Sequence, residues 1–396
     1  MPPLKRVGIG LIGAGFLART RMRCYAQVSG YYAEVVAVAA RTETSAQKFA
    51  QAHGIPHAFG DYRDVLSMPE VDVVDLCVPN LMHGDLAVES AQAGKHVICT
   101  KPLTAYVGQD LPADQAAGHT ARPEMLRLAL ESAQAMIQAA EENDVQLMYG
   151  ENWVYAPSIS RAEGLILQSG GSILEMRGGE SHSGSHSPFS RRWRNAGGGA
   201  LIQLGAHPIG ALLYLKQREG IARNSQPIRP VAVSAEVGDT STIAPPEKSW
   251  VATGWEDVEN WAALIISFSD GSHGVVHASE TVLGGMESRL EIFLSNSQFK
   301  CNLSPNNLLQ AYTPDASIFD DAYIMEKTNS GAGWTTPIPD EDWSSGHLAM
   351  CQDFIAALAE NRSSKADGRL GRAVIEVVYA AYLAAASGQR VEISSD

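Results

Sequence analysis

The feature that most constrains this chain is a glycine turn placed directly behind a short apolar run. Val7–Ile12 reads as a buried strand, and Gly13-Ala14-Gly15-Phe16-Leu17-Ala18 follows it and opens a helix-like stretch. Strand, glycine turn and helix in that order begin a βαβ unit with the spacing of a dinucleotide-binding fingerprint. Gly13 permits the tight turn, Gly15 lets backbone approach a pyrophosphate, and Ala18 lets helix and strand pack closely. Phe16 and Leu17 fall in the first helical turn, where unpaired N–H groups attract phosphate oxygens. An overlapping match, Gly8-Ile9-Gly10-Leu11-Ile12-Gly13, lies inside the strand run and lacks the context of a binding turn.

The rest of the first 150 residues keeps the same rhythm. Apolar runs at Glu34–Ala40, Val71–Val78, His96–Cys99 and Gln146–Tyr149 alternate with helical patterns such as Asp85–Ala93 and Glu124–Asn143. This predicts a doubly wound parallel sheet covered on both faces, over residues 1–152. From Ile173 the pattern changes to β-like runs with few helices between them: Ile173–Gly178, Pro230–Val237, Val258–Phe268, Gly274–Val282 and Arg289–Leu294. Residues 153–396 are therefore expected to form an α+β domain with a large, mostly antiparallel open sheet. Helices are expected at Leu201–Leu215, His347–Glu360 and Leu370–Ala386. The segment Tyr106–Pro123, rich in Gly, Pro, Ala, Gln and Asp, reads as an insertion: a surface loop, an active-site cover or a subunit contact.

A formal net charge of -14 argues against nucleic acid and anionic membranes as partners. There is no signal-peptide pattern and no stretch of 18 apolar residues, and the five scattered cysteines form no CxxC pair. A cytoplasmic protein without a cysteine-based metal site is the expectation. At the end of the second strand, where an NAD-selecting acid normally sits, the chain reads Ala39-Ala40-Arg41-Thr42. Arg41 and Thr42 suit a 2′-phosphate, which tilts the cofactor expectation within NAD(P) toward NADP.

Two segments carry the expected chemistry. Lys101, in Cys99-Thr100-Lys101-Pro102, follows a short strand at the end where ligands bind in parallel sheets. Desolvation and a neighbouring nicotinamide cation would fit its amine for proton transfer. His207 closes Gly197-Gly198-Gly199-Ala200-Leu201-Ile202-Gln203-Leu204-Gly205-Ala206-His207, a glycine turn entering a helix, and Gln203 four residues earlier is expected on the same helical face. An imidazole there can take a hydroxyl proton as hydride leaves. For each residue alone the competing reading is structural: a solvated lysine, a packed histidine.

Together these stretches resemble the glucose–fructose oxidoreductase / inositol dehydrogenase family, Gfo/Idh/MocA, over nearly the whole chain. The resemblance is carried by Gly13–Ala18, Pro79-Asn80 with His83, Gly94-Lys95-His96-Val97 with Lys101-Pro102, and Gly198-Gly199-Ala200 with His207. It implies NAD(P)-dependent oxidation or reduction of a small carbohydrate or polyol, and a homodimer or homotetramer formed through the open sheet. It also implies that Lys101 is the active-site lysine and His207 the catalytic histidine, with Pro79, Asn80 and His83 around the nicotinamide and its ribose. The sequence departs from the family where Thr100 replaces a glutamate, Gln203 an aspartate and Gly210 an acid, and where Glu151-Asn152-Trp153 replaces an arginine-containing stretch. These changes point to an unusual substrate.

Glu151, Asn152, Trp153, His182, Trp193 and Arg194 are further candidates for substrate contact, each set against ordinary packing or surface polarity. His182 and His186 stand four apart, but a glycine, a proline and no third ligand argue against a metal. Two rival functions remain at this level: a redox-neutral glycosidase or lyase working by transient oxidation, and a non-catalytic dinucleotide sensor.

Overall fold

The computed structural model describes residues 4–185, 187–304, 308–319, 323–328 and 331–393. Six parallel strands form the first sheet: β1 Arg6–Ile12, β2 Tyr32–Ala39, β3 His57–Phe59, β4 Val73–Leu76, β5 His96–Thr100 and β6 Leu147–Gly150. Their order is β3-β2-β1-β4-β5-β6, with every pairing parallel. The order reverses between β1 and β4, which opens a crevice at the carboxyl ends of the strands. Gly8 and Gly10 lie within β1, where a Cβ would meet Glu70 O and Val65, so they serve strand packing.

Seven strands form the second sheet: β7 Ile173–Ser181, β8 Pro230–Gly238, β9 Trp261–Phe268, β10 His273–Ser279, β11 Glu287–Leu294 and β12 Gln298–Asn302, with the C-terminal β15 Val391–Glu392 at the edge. A separate small pair, β13 Ala311–Thr313 and β14 Gly333–Thr335, precedes that last strand. The sheet order is β12-β11-β7-β10-β9-β8-β15, antiparallel except for the central β7–β10 pair. The short strands β3, β12, β13, β14 and β15 carry too few alternating residues to stand out in the sequence.

The Ala206–Asn224 helix covers one face of this sheet. Gly178 on β7 and Gly274 on β10 allow the approach: a Cβ there would stand 2.7 Å from Pro208 Cβ and 2.3 Å from Leu212 Cδ2. The expected helix from Leu201 to Leu215 is in fact two. Ala200–Gln203 ends before Leu204-Gly205, and a longer helix then runs from Ala206 to Asn224. The break lets the second helix lie along the sheet, and it removes the shared helical face expected of Gln203 and His207.

The last two long helices return to the first sheet. His347–Glu360 packs on the Phe16–Tyr25 helix and on β1. Gly368–Ser387 packs at once against Arg122–Glu142, β8 and the Ala206–Asn224 helix. By length and composition that helix is apolar enough to cross a membrane, but most of it is buried as the shared core of both sheets. The insertion at 106–123 is irregular apart from Ala117–His119 and is held firmly. Tyr106 N–H donates to Tyr379 Oη at 2.7 Å, and Gly118 N–H donates to Asp257 Oδ2 at 3.0 Å.

At the first turn, Gly13 has φ +112°, and a Cβ would lie 2.1 Å from Cys77 O. Replacing it with alanine imposes both a backbone penalty and a clash. Gly13→Ala is expected to lose at least about 2 kcal/mol of stability, read from denaturant unfolding. An unchanged midpoint would show that the turn relaxes without cost.

Candidate active site

The crevice beside β1 has the form of a phosphate cradle. Gly15 is the N-cap of the Phe16–Tyr25 helix, makes no side-chain cap hydrogen bond, and has open space where a Cβ would be. The first N–H groups of the helix therefore remain available to an anion. Ala18 is buried against the sheet, while Phe16 is exposed and Leu17 half-buried. These residues fit a dinucleotide's pyrophosphate. Arg41 is exposed at the end of β2, and Thr42 caps the Glu43–His53 helix through Oγ1.

Pro79 and Asn80 follow β4. Pro79 is exposed, and Asn80 Nδ2 donates to Ala196 O at 2.8 Å, which fastens this turn to the second domain. His83 does not line the crevice. It is wholly buried, with ring nitrogens 2.8 Å from Pro102 O and 3.1 Å from Val78 O, and a neutral ring donates its one N–H to one of them. Its part is to tie the loop after β4 to the loop after β5, and burial lowers its pKa. Thr100 is the last residue of β5, and the Lys101–Pro102 peptide behind it is cis.

Lys101 and His207 come together. Half-buried Lys101 donates through Nζ to the backbone carbonyl of Gln203. The Gln203 side chain takes no part in that bond, because its Nε2 donates to Ser190 O and Gly198 O, each at 3.1 Å. The glycine turn ahead of it is set by Glu259, a residue with no local sequence signal. Its carboxylate accepts from Gly199 N–H at 3.1 Å, Leu201 N–H at 2.9 Å and Tyr382 O–H at 2.8 Å.

His207 is buried, and its Nδ1 lies 2.6 Å from Glu151 Oε1. The same oxygen accepts from Trp153 N–H at 3.1 Å, so it serves as an acceptor toward Nδ1–H and leaves Nε2 with its lone pair. Trp153 stacks on the imidazole, with ring centroids 5.9 Å apart and planes 9° from parallel. Burial first, then the Lys101 charge, push the His207 pKa down to about 3, against an opposing pull from Glu180. Burial drives Glu151 the other way, well above the usual carboxylate range. Both shifts favour the uncharged form of each group, so the imidazole stays neutral.

Several expected substrate contacts have other tasks. Glu151 is completely buried beneath His207, and Asn152 Nδ2 donates to Ser345 O at 2.7 Å. Trp193 is buried against Tyr382, under the Arg122 guanidinium, and its Nε1 donates to Tyr106 O at 2.9 Å. Arg194 donates to Gly108 O at 2.9 Å, Pro112 O at 2.6 Å and Gln115 O at 2.9 Å. Trp193 and Arg194 thus clamp the insertion. His182 is buried, with Nδ1 accepting from Gly184 N–H at 2.9 Å; His186 lies outside the described residues. Sequence reasoning did not single out Glu180, Glu259 or Glu280.

Comparison with known proteins agrees with this architecture. Residues 7–118 match a family model described as an oxidoreductase family with an NAD-binding Rossmann fold, and residues 167–300 match the GFO/IDH/MocA C-terminal domain. Levoglucosan dehydrogenase of Pseudarthrobacter phenanthrenivorans is 26% identical over 390 residues, covering 92% of this chain and 93% of that protein. D-apiose dehydrogenase of Paraburkholderia graminis is 24% identical over 401 residues, covering 99% and 91%. In fold, the chain superposes on GenD2 from gentamicin A biosynthesis in complex with NAD (TM-score 0.78, 23% identity, 100% and 99% covered). It also superposes on levoglucosan dehydrogenase in complex with NADH and L-sorbose (TM-score 0.75, 22% identity, 99% and 100% covered). With both domain models matched in order and its relatives aligned along almost their full length, the chain belongs to the Gfo/Idh/MocA family of oxidoreductases.

Proposed function

We propose that this oxidoreductase interconverts a secondary hydroxyl and a ketone on a sugar, polyol or sugar derivative. The observation that carries the reading is the meeting of Lys101 with the segment that bears a neutral, carboxylate-oriented His207, beside an uncapped helix N-terminus. Bound in the crevice, a nicotinamide nucleotide supplies the hydride acceptor or donor. In oxidation, His207 Nε2 accepts the hydroxyl proton, and Glu151 at Nδ1 holds the ring in place. The Lys101 ammonium, fixed by Gln203 O, stabilises negative charge on the substrate oxygen. In reduction the same groups work in reverse.

Lys101→Ala and His207→Ala are each expected to lower turnover about 10²–10⁴-fold while leaving nucleotide affinity near wild type. Glu151→Gln should lower kcat with little change in the nucleotide KM, at an unchanged melting temperature. Full activity in both alanine variants would remove the assignment. Because His207 is held at about 3, well below the ordinary histidine value, it stays deprotonated and competent as a base throughout the usual assay range. The kcat/KM for oxidation should therefore not fall with an apparent pKa near 6.5 as the pH is lowered. Net accumulation of reduced nicotinamide, followed by absorbance, distinguishes a dehydrogenase from a redox-neutral enzyme that needs the nucleotide only catalytically.

Arg41, exposed and with no acid beside it at the end of β2, supports NADP over NAD. On this reading kcat/KM is higher with NADP, and Arg41→Ala cuts that preference about 10-fold. A higher value with NAD would reverse it.

The face of the second sheet opposite the Ala206–Asn224 helix supports a homodimer or homotetramer. It leaves Leu174, Ile265 and Val275 exposed among Arg177, Arg289 and Glu291. Light scattering on the purified chain should give a dimer or tetramer mass, and Ile265→Asp should shift it toward the monomer. A monomeric wild type would exclude this use of the face.

A further inference from the structure

Two carboxylates at the end of the second sheet remain unused by the chemistry above. Glu180 lies two residues beyond Gly178 on β7, so both occupy the same face, and Gly178 abuts Pro208 beside His207. Glu280 follows β10 two residues beyond Ala278, the register partner of Glu180. Its N–H continues the ladder to Asn260 O at 2.8 Å, so Glu280 takes that face too. Both side chains are thereby directed to the end of the sheet where Lys101 and His207 meet, and both feel the Lys101 charge.

These acids are buried without adequate partners. Glu180 is 5% exposed and Glu280 0%. Glu180 Oε2 and Glu280 Oε1 make no hydrogen bond, and Glu280 Oε2 accepts only a long one, from Ser185 N–H at 3.4 Å. The surrounding charges do not neutralise them. Lys101, whose charge reaches both, hydrogen-bonds Gln203 O and neither glutamate; Lys327 pairs with Glu326 at 3.7 Å, His207 is held neutral, and Glu151 and Glu259 add further acid. Burial raises the pKa of both, Glu280 to about 7. Unpaired buried carboxylates are costly, and the cost is relieved by a cation that brings several donors. A hydroxyl offers a single donor and no charge, whereas an ammonium offers three donors and a full positive charge.

We propose that Glu180 and Glu280 form an ammonium-binding floor of the substrate cleft, and that the chain acts on an amine-bearing sugar or aminocyclitol. This rests on the oxidoreductase reading above and narrows its substrate class. The amine anchors the ring on the second sheet and leaves a neighbouring hydroxyl facing His207 and Lys101.

The test uses the full chain with NAD and with NADP, and matched substrates that differ only at one substituent. Glucosamine and 3-amino-3-deoxyglucose are compared with glucose and N-acetylglucosamine, and scyllo-inosamine with scyllo-inositol. At least one amine should exceed its hydroxyl partner about 10–100-fold in kcat/KM, with the advantage lost on N-acetylation. Glu180→Gln and Glu280→Gln should each reduce that advantage about 10-fold or more while nucleotide affinity holds. Melting temperatures monitor folding, and the wild-type comparison decides the question even where a variant fails to fold. Oxidation of neutral sugars with no amine advantage overturns the ammonium floor and leaves the oxidoreductase reading standing. Amine binding that depends on both glutamates, measured by calorimetry on the NADH complex but without any nicotinamide reduction, does the reverse. A panel in which no amine binds or reacts better than its partner overturns the proposal.

Discussion

One hydrogen bond between the two halves organises the cleft: the Lys101 ammonium on the Gln203 carbonyl. Lys101 stands at the carboxyl end of β5, and Gln203 ends the short helix behind the glycine turn. Neither position is free to drift. The loop carrying Lys101 is tied down by the His83 ring, which lies between Val78 O and Pro102 O. The Gln203 carbonyl is fixed because its own amide grips the turn at Ser190 O and Gly198 O, and because Glu259 binds the N–H groups of Gly199 and Leu201. A flexible lysine is thus placed by two rigid segments, which is the condition for an ammonium to act as a preorganised electrostatic group. Gln203 contributes its backbone carbonyl, and not its side chain, to the holding of the lysine.

The same cleft is poor in countercharge. Glu151 gives one oxygen to His207 and keeps Oε2 buried without a partner, and Glu180 and Glu280 each keep one more such atom. A fold optimised for stability alone would pair or remove these groups, since each unpaired buried acceptor costs roughly 1–3 kcal/mol. The long helix Gly368–Ser387, buried between the two sheets, supplies apolar burial that offsets such a cost. The strain therefore falls in the cleft, and stability comes from a helix remote in sequence from any of the chemistry.

What the sequence made legible was local. Gly13 and Gly15 announce a strand–turn–helix because their meaning lies in adjacent residues, and Lys101 and His207 could be placed from the ends of the elements that carry them. The alternating and helical periodicities gave both sheets and the helices over Glu124–Asn143, His347–Glu360 and Leu370–Ala386, while the shortest strands and the helices Glu43–His53 and Pro157–Ser169 were lost. Pairings across long separations were not legible. Glu151 and His207 are 56 residues apart, and nothing near Glu151 indicates that it will lie beneath an imidazole instead of facing a hydroxyl. Trp193 and Arg194 show the same limit. They sit beside the glycine turn in sequence, and nothing near them indicates that their side chains will hold backbone carbonyls of the insertion 79 to 87 residues earlier. The break at Leu204-Gly205 escaped the periodicity because the apolar residues on either side of it would suit one continuous helix equally well.

That insertion joins the two observations. Tyr106 stands at its head, receiving Trp193 Nε1–H at its carbonyl and giving its N–H to Tyr379 on the buried C-terminal helix. Arg194 holds three further carbonyls along it, and Asp257 binds both Gly118 N–H and Trp193 N–H. Asp257 lies two residues before Glu259, the residue that sets the glycine turn. The stretch from Asp257 to Glu259 therefore fixes the insertion with one carboxylate and the catalytic segment with the other. The insertion, which begins only a few residues after Lys101, is held in place through the same short piece of chain that aligns Gln203, so the position of the ammonium is coupled to it from both ends. Loop and catalytic turn are thus fastened as one unit.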